Sequence, residues 1–436
     1  MNIITTIKMT SGDNIGLSKK LEQFFEKNTK QVGLSIGDWS VQVPIVFKEE
    51  LREDIMELPQ VWNEKYTIPQ LKYELKIKAN HIKLGPIIGF IPARIRRELV
   101  NNLQSYKPYY ENCKHLNGLI ILCAASDIDI KSGHIHGFYF DSIKSTWEKG
   151  IFPIPDVLFR RSPIPQNAYR FLKRKLGKRI FNTPLLNKWD VWRQLATNTQ
   201  LLEYLPPTNI LSKGHLDLMI KQYGEVHIKP VNGFSAFGIY KIKKQSDQYQ
   251  ITSLNGKNRI LPERKILIFL KSKRGYIVQK SINTDQSENR NIVLRVILQK
   301  DKWKQWQCSG SYVRIGKKEG IATNRHLTDT FSTIKDLFKD YFHLCDDLSN
   351  KKERELIDLC IKACQVLDQK GNYADVAIDV MMDEHQKFWI LEINHRHHSH
   401  SSPLQTINDR EMYNKVLRTP FEYAKSLAGF AENECH

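Results

Sequence analysis

The sequence lacks any apolar run long enough to cross a membrane and any leader of the secretory type. A spanning helix needs roughly 18–20 apolar residues, and no stretch of the 436 residues provides them. The start, MNIITTIKMTSGDN, has no basic segment followed by an apolar one. Internal repeats and low-complexity segments are also missing. We therefore expect a cytoplasmic globular protein with no membrane span.

Cysteine is scarce, and the common nucleic-acid motifs are missing. The 7 cysteines are an odd and scattered set, which suits a reducing compartment better than a disulfide framework. Cys360 and Cys364 are four residues apart on a predicted helix, where core packing is favoured over a metal pair. No RNA-recognition signature, zinc-finger spacing or heptad repeat is found. Nucleic acid is therefore not the expected partner.

Acidic residues are outnumbered by basic ones. The chain has 66 lysines and arginines against 47 acidic residues, a net charge of +19. Such an excess predicts an acidic partner, for example nucleotide phosphates, an acidic protein or an anionic surface. One dense basic run, RFLKRKLGKR, covers 170–179. Its simpler interpretation is a solvated helix face.

Two predicted strands near the C-terminal end contain a set of oxygen ligands. DVAIDVMM and KFWILEIN are joined by the polar turn DEHQ, and Asp379 is predicted near the end of the first strand. Glu392 and Asn394 are two apart on the second strand, so their side chains share a face. Carboxylate and amide oxygens suit Mg²⁺ that is shared with substrate phosphates. The alternative is a buried hairpin with exposed acids at its end.

A lysine and a glycine-bearing turn precede this hairpin in the chain. Lys229 ends the predicted strand EVHIKPV and is followed by Pro230 and NGFSAFG. An ammonium beside bare backbone N–H groups can contact phosphates. The turn is not a Walker A loop, because no G-K-[ST] follows and no helix begins there. An ordinary hairpin is the alternative. The order of a cationic loop, an apolar strand and an oxygen set is that of a Mg-nucleotide site.

Elsewhere the pattern predicts alternating strands and helices. The first 33 residues predict a short strand and a basic amphipathic helix, LSKKLEQFFEKNTK. DSIKSTWEKG is predicted to be helical, and residues from about 30 to 165 are predicted to form an α/β or mixed unit. NKWDVWRQLATNTQLLEYLP predicts one helix that stops at Pro206 and Pro207.

This order of motifs resembles the ATP-grasp superfamily and, more narrowly, the YheC/YheD-type endospore-coat-associated family. PIPDVLFRR and FNTPLLNKW resemble that family's segment ahead of the grasp unit, and 187–403 contains its motifs. The resemblance implies an α+β (α/β) class, with an ATP-grasp fold after an N-terminal α/β pre-grasp domain. The implied divisions are a pre-grasp domain at 1–165, a basic connector at 166–186, and an ATP-grasp domain at 187–430 with a lid at about 205–285 and a core at about 286–430.

The resemblance also assigns roles to single residues. It implies that the nucleotide is bound by Lys188, Lys229, Gly233, Phe234, Ser235, Ala236, Gly238, Gln279, Lys280 and Ile282, the last three at the adenine-side hinge. The implied ligands of Mg²⁺, with Mn²⁺ as an alternative, are Asp379, Glu392 and Asn394. The implied catalytic contacts to anion and acyl phosphate are Arg295, Arg314 and Asn324. For Arg295 a structural ion pair is the alternative. Similar structural roles are the alternative for Arg314 and Asn324.

Three single positions and one four-residue run depart from the family pattern. Ala236 replaces a glycine, Phe234 a small polar residue and Val293 an acid, and the run HRHH replaces a Ser-Lys-Pro-like segment after Asn394. The histidines of this part of the chain are His395, His397, His398 and His400. On a strand they would alternate between two faces, which makes a four-ligand zinc cage awkward. A cluster that faces phosphate or substrate is preferred.

The resemblance implies an ATP-dependent carboxylate–amine ligase that acts through an acyl phosphate. ATP, a carboxylate and an amine are the implied substrates, with an acidic peptide or a spore-associated protein among the candidates. A kinase that phosphorylates a hydroxyl and a non-catalytic nucleotide-binding protein of the spore surface are the alternatives. The sequence specifies neither donor, acceptor nor oligomeric state.

Overall fold

The chain forms two compact units. A computed structural model describes residues 2–233, 237–254, 256–283, 290–318, 320, 327–396 and 398–430. Unit 1 contains the described residues up to Thr183, Lys300–Gln305 and those from Asn414 onward. Unit 2 contains Pro184–Gln299 and Trp306–Tyr413. Among the described residues, no helix is both long and apolar enough to cross a membrane.

Unit 1 begins with a closed β-barrel in the order β1-β5-β2-β4-β3-β7-β6. Its strands are β1 (Asn2–Thr10), β2 (Ile15–Ser18), β3 (Gln31–Ile36), β4 (Trp39–Lys48), β5 (Ile55–Pro59), β6 (Lys72–Lys78) and β7 (His81–Gly85). Strand alternation fills the interior, because Val32, Leu34 and Ile36 are buried. On the other face of β3, Gln31 and Ser35 are more exposed.

A second sheet of unit 1 has the order β10-β11-β9-β8-β13-β14, with β12 paired to β11. Its strands are β8 (Ile87–Ala93), β9 (Leu119–Ala124), β10 (Ile128–Asp129), β11 (His134–Asp141), β12 (Thr146–Pro153), β13 (Val157–Arg160) and β14 (Ile180–Phe181). The central strand β8 pairs in parallel with β9 and β13, and every residue of it is buried. Its nearly continuous apolar sequence follows from that burial.

Unit 1 corrects two predicted helices. The segment LSKKLEQFFEKNTK contains a short 3-10 helix, Lys19–Phe24, instead of an amphipathic α-helix. Leu21 and Phe25 are buried, and a single turn satisfies their i, i+4 spacing. DSIKSTWEKG forms a turn and strand β12, because Asp141 accepts hydrogen bonds from the backbone N–H groups of Ile143 and Lys144.

Unit 2 contains two sheets. The six-stranded sheet has the order β15-β20-β16-β17-β18-β19. Its members are β15 (Thr208–Ile210), β16 (Glu225–Pro230), β17 (Tyr240–Gln245), β18 (Gln248–Ser253), β19 (Asn258–Pro262) and β20 (Tyr276–Lys280). The other sheet has the order β23-β22-β21-β24-β25. Its members are β21 (Ile292–Lys300), β22 (Trp306–Gly316), β23 (Thr328–Ser332), β24 (Asp375–Met382) and β25 (Phe388–Asn394).

The described helices flank these sheets. They are α1 (Arg96–Asn101), α2 (Lys107–Asn112), α3 (Gln166–Leu176), α4 (Lys188–Leu195), α5 (Thr199–Leu202), α6 (Lys213–Tyr223), α7 (Glu263–Lys271), α8 (Ile334–Asp340), α9 (Asp346–Asp368), α10 (Ser402–Ile407) and α11 (Arg410–Leu427). The predicted single helix after Asn187 is two helices, α4 and α5. Asn198 interrupts it because its side chain caps the N-terminus of α5.

One face of the β21–β24–β25 sheet packs against α9. Leu356, Cys360 and Leu367 recur at helical spacing and join a core with Ile378 and Val380. Each such side chain contributes about 1.5–3 kcal/mol by leaving water. Cys360 and Cys364 both belong to this core, as predicted. The opposite face of the sheet remains available for polar residues.

Residues 166–186, expected to be a basic connector, contain helix α3. Leu172 and Leu176 of α3 belong to the core of unit 1. The final helix α11 begins in unit 2, but its part from Asn414 belongs to unit 1. There, Phe421 packs on Phe90 and Phe159. Long-range aromatic packing of this kind leaves no local sign in the sequence.

Candidate active site

Strands β21, β24 and β25 present a polar face opposite their apolar core. Leu294 and Val296 of β21 are buried in the core, and Arg295 between them points the other way. Arg295 lies directly opposite Asp379 in the β21–β24 register. The sequence had suggested that Asp379 lies near the end of its strand. In the structure it is an interior residue of β24. The neighbouring strands on both sides therefore surround this carboxylate.

A β-bulge brings the candidate oxygen ligands to one face. Val380 lies opposite Ile390, whereas Asp379 lies opposite Glu392, so Leu391 is an extra residue in β25. The extra residue reverses the alternation after it. Glu392 and Asn394 consequently lie on the face of Asp379, while Ile393 stays in the core. Without the bulge, Ile393 would occupy that face in place of Glu392 and Asn394.

Asp379 is the centre of a buried ion-pair network. Arg295 donates from Nε to Oδ1 at 2.5 Å and from Nη2 to Oδ2 at 2.9 Å. Arg314 donates from Nη2 to Oδ1 at 2.7 Å, and Asn394 donates to Oδ2 at 3.3 Å. Burial alone would raise the pKa of Asp379, but the two arginines outweigh it and hold the pKa below its usual value. The carboxylate therefore stays ionised.

Two lysines complete the network. Lys188, the first residue of α4, donates to the carboxylate of Glu392. Lys229 lies on β16 and donates from Nζ to Oε1 of Gln279 at 2.6 Å. Burial, and next the charge of Lys188, lower the pKa of Lys229 to about 8, while Glu392 and Asp379 oppose this shift. Both lysines thus lie within electrostatic reach of the metal-ligand candidates.

The glycine-bearing turn follows β16. Gly233 donates its N–H to the carbonyl of Pro230 at 3.2 Å. Gly238 has a φ of +76°, and a Cβ there would come within 2.6 Å of the Tyr276 hydroxyl, so a side chain is excluded. Phe234, Ser235 and Ala236 lie outside the described residues, as does the catalytic candidate Asn324.

Sequence comparison identifies the family of this chain. The model of the "YheC/D like ATP-grasp" family matches residues 177–427, which is more than half of the chain. The chain belongs to the YheC/D-like ATP-grasp family. Its α+β fold is accordingly the ATP-grasp fold, as the resemblance implied.

Individual relatives of this ATP-grasp chain are distant. The endospore coat-associated protein YheD of Bacillus subtilis (strain 168) is 24% identical over 95% of this chain and 96% of its own length. The endospore coat-associated protein YheC of the same organism is 20% identical over 62% of this chain and 77% of its own. The VanG D-Ala:D-Ser ligase of Enterococcus faecalis has a TM-score of 0.47 at 11% identity, covering 78% of this chain and 99% of its own.

The residues expected at the adenine-side hinge lie at the end of β20, where Gln279 and Lys280 are the last two strand residues and Ile282 follows. The side chain of Gln279 is buried and bridges Lys229 and Thr208, donating to Thr208 Oγ1 at 2.9 Å. The ammonium of Lys280 lies 4.9 Å from the centre of the Trp389 ring. Ile282 joins Val293, Met381, Trp389 and Leu391 in a small apolar cluster. An apolar cluster of this kind can line the pocket of a purine ring.

The histidines after β25 are placed differently from the expectation. His398 and His400 are buried and direct their Nε2 atoms to Asp375, at 2.9 and 3.0 Å from Oδ1. His395 Nε2 accepts a hydrogen bond from the backbone of Leu186. These three side chains therefore bind protein groups instead of facing phosphate or substrate. His397 lies outside the described residues.

Asp375 was missed by sequence reasoning. It begins β24 and is completely buried, and Gln299 donates to its Oδ1 at 2.8 Å. Burial would raise the pKa of Asp375, but His398 and His400 hold it well below its usual value. The available signal was an acid at the head of an otherwise apolar strand, which needs partners if it is buried.

Proposed function

We propose that this protein is an ATP-dependent carboxylate–amine ligase that works through an acyl phosphate. The observation that supports the proposal is the network on one face of β21, β24 and β25. Four cations, Lys188, Lys229, Arg295 and Arg314, surround the carboxylates of Asp379 and Glu392. The network has a formal excess of two positive charges when all groups are ionised.

Such an excess favours a polyanion. An unpaired charge is costly in a site of low dielectric constant, and a triphosphate would balance it. The cations have different donor geometries, because the arginines present planar forks and the lysines compact ammonium groups. Lys229 and Lys188 would contact phosphate oxygens, and Ile282 with Trp389 would line the adenine side.

The oxygen atoms of Asp379, Glu392 and Asn394 fit a magnesium ion. All three are hard ligands, and no sulfur or imidazole ligand accompanies them among the contacts of this network. Mg²⁺ prefers such oxygens and keeps room for phosphate oxygens and water. When bound, Mg²⁺ would offset the charge that develops in phosphoryl transfer. The arginines would then share Asp379 with it.

The proposed reaction has two steps. A carboxylate oxygen of the donor attacks the γ-phosphorus of ATP, the bond to ADP breaks, and an acyl phosphate forms. The amine nitrogen then attacks the acyl carbon, phosphate leaves, and the ammonium proton passes to water. Arg295 and Arg314 would hold the anionic groups in place. The residues of the network thus position the reactants and stabilise charge, without a covalent nucleophile.

The substrate proposal rests on charge and on the relatives. A net charge of +19 favours an acidic peptide or protein as the donor. Both Bacillus subtilis relatives are described as endospore coat-associated. We therefore propose a cytoplasmic enzyme whose acidic protein substrate is associated with the spore.

The test is the release of ADP with panels of carboxylates and amines. The expected product has the mass of acid plus amine minus water, and ADP appears only when both partners are present. Glu392→Gln should lower turnover by about 100-fold or more. Glu384→Gln, in the exposed turn of the same hairpin, is the matched control and should turn over like the parent. ADP release with a polyol alone would mean a kinase, and none with any pair would mean a binding protein.

A further inference from the structure

Two histidines and an aspartate of unit 1 converge outside the proposed active site. His134 and His136 lie on the same face of β11, and the intervening Ile135 is buried on the other face. Asp129, on β10, lies directly opposite His134. The three ligand atoms all lie within 4.8 Å of one another. None of these residues belongs to the nucleotide network.

The distances within this set match a metal site. The Nε2 atoms of His134 and His136 are 3.2 Å apart. Two nitrogens bound at about 2.0–2.1 Å to a tetrahedral zinc ion would be about 3.3–3.4 Å apart. The Asp129 carboxylate oxygen lies 3.8 Å from His134 Nε2, which is beyond hydrogen-bond distance. The three atoms are therefore close enough to surround one ion, although the carboxylate forms no hydrogen bond with His134.

The turn between the two strands fixes the orientation of the carboxylate. Oδ1 of Asp129 accepts from the backbone N–H groups of Lys131 and Ser132, at 2.9 and 3.2 Å. Oδ2 accepts from the Ser132 hydroxyl at 3.0 Å and is the oxygen that faces His134. Hydrogen bonds of this kind orient the ligands of metal sites. Gly133, with a φ of +72°, closes the turn.

The buried histidine pair of unit 2 provides a contrast. There, His398 and His400 approach Asp375 at 2.9–3.0 Å, as hydrogen-bonded groups do. In unit 1, the rings of His134 and His136 lie within hydrogen-bond distance of each other and not of Asp129. The side chains of His134 and Asp129 remain 20% and 35% exposed. Solvent can therefore reach the remaining coordination positions of an ion.

We propose that Asp129, His134 and His136 bind a divalent transition-metal ion of the zinc class. Two imidazoles and one carboxylate favour Zn²⁺, Co²⁺, Ni²⁺ or Cu²⁺ over Mg²⁺. Water or a further donor completes the coordination. The site is independent of the proposed ligase chemistry, since a different unit provides its ligands.

The experiment measures zinc binding by the full chain, prepared without a histidine tag and freed of metal by a chelator. Calorimetric titration with Zn²⁺ should give one equivalent more for the parent than for the double variant His134→Asn with His136→Asn. Cobalt substitution should give visible d–d absorption in the parent that the double variant lacks. Ser132→Ala, which removes a hydrogen bond to the Asp129 ligand, should weaken the affinity by about 10-fold.

Two control variants locate the bound ion. His385→Asn removes an exposed histidine from the hairpin turn and should leave the stoichiometry unchanged. His398→Asn should also leave it unchanged. The proposal is overturned if the parent binds no zinc, if the double variant binds as much as the parent, or if the equivalent is lost with His398→Asn instead. Equal melting temperatures for parent and double variant, measured without metal, would exclude loss of folding as the cause.

Discussion

Asp379→Asn tests the ion-pair network directly. The change keeps the size of the side chain and one carbonyl oxygen, but removes the charge that both Arg295 and Arg314 face. All three side chains are nearly buried, with exposures of 12–13%. Removing one partner from a buried pair typically costs about 3–5 kcal/mol. We expect the lower end, about 3 kcal/mol, because the amide oxygen still accepts a hydrogen bond.

Calorimetry is the appropriate assay, because the two units need not unfold in one transition. A loss of about 3 kcal/mol lowers the melting temperature of a unit of this size by about 6–12 °C. The control is Asp329→Asn in β23, the edge strand of the same sheet. This change breaks the 2.6 Å contact between Asp329 and Arg290, and the side chain of Asp329 is 48% exposed. An exposed pair contributes only about 0–1 kcal/mol. If Asp379→Asn costs no more than Asp329→Asn, the network does not hold Asp379 as described.

Three further outcomes are expected. The pKa of Lys229 is about 8, so the affinity of the parent for ATP should fall as the pH rises through that value. In equilibrium titration, Lys229→Met should bind ATP weakly and without this pH dependence. Stability should change with pH in the opposite direction to ATP affinity. The pKa of Lys229 is lower in the folded than in the unfolded chain, so protonation of Lys229 opposes folding. The unfolding free energy of the parent should therefore rise relative to that of Lys229→Met from about pH 8 to about pH 10. Binding of an acidic peptide should weaken steeply from low to moderate salt in fluorescence titration; a salt-insensitive complex would contradict the charge-based substrate proposal.

Local sequence patterns were sufficient to predict much of the secondary structure of unit 2. The hairpin of β24 and β25 follows from alternation and a polar turn, and helix α6 ends at Tyr223, just before the C-cap Gly224. The pattern failed in the N-terminal region, where the strands of a closed barrel and a short 3-10 helix replace the predicted helix. Barrel closure depends on β1 pairing with β6, about seventy residues later, and no local window contains that information.

The sequence by itself determined which chemical groups the candidate site contains. It placed two acids and an amide on one hairpin and Lys229 at the end of a strand before a glycine-bearing turn, and these motifs were sufficient to indicate the family that the comparison confirmed. Side-chain type and strand periodicity are local properties, so they can be inferred from neighbouring residues.

Only the tertiary structure decided how these groups meet. The extra residue Leu391 turns Glu392 and Asn394 to the face of Asp379. The sequence of β25 alone would be compatible with these side chains on either face of the sheet. Arg295 and Arg314 reach Asp379 from strands 84 and 65 residues away in the chain. His398 and His400 turn toward Asp375 because its buried charge needs partners. Burial and strand order determine these contacts, and neither is written in any single stretch of sequence.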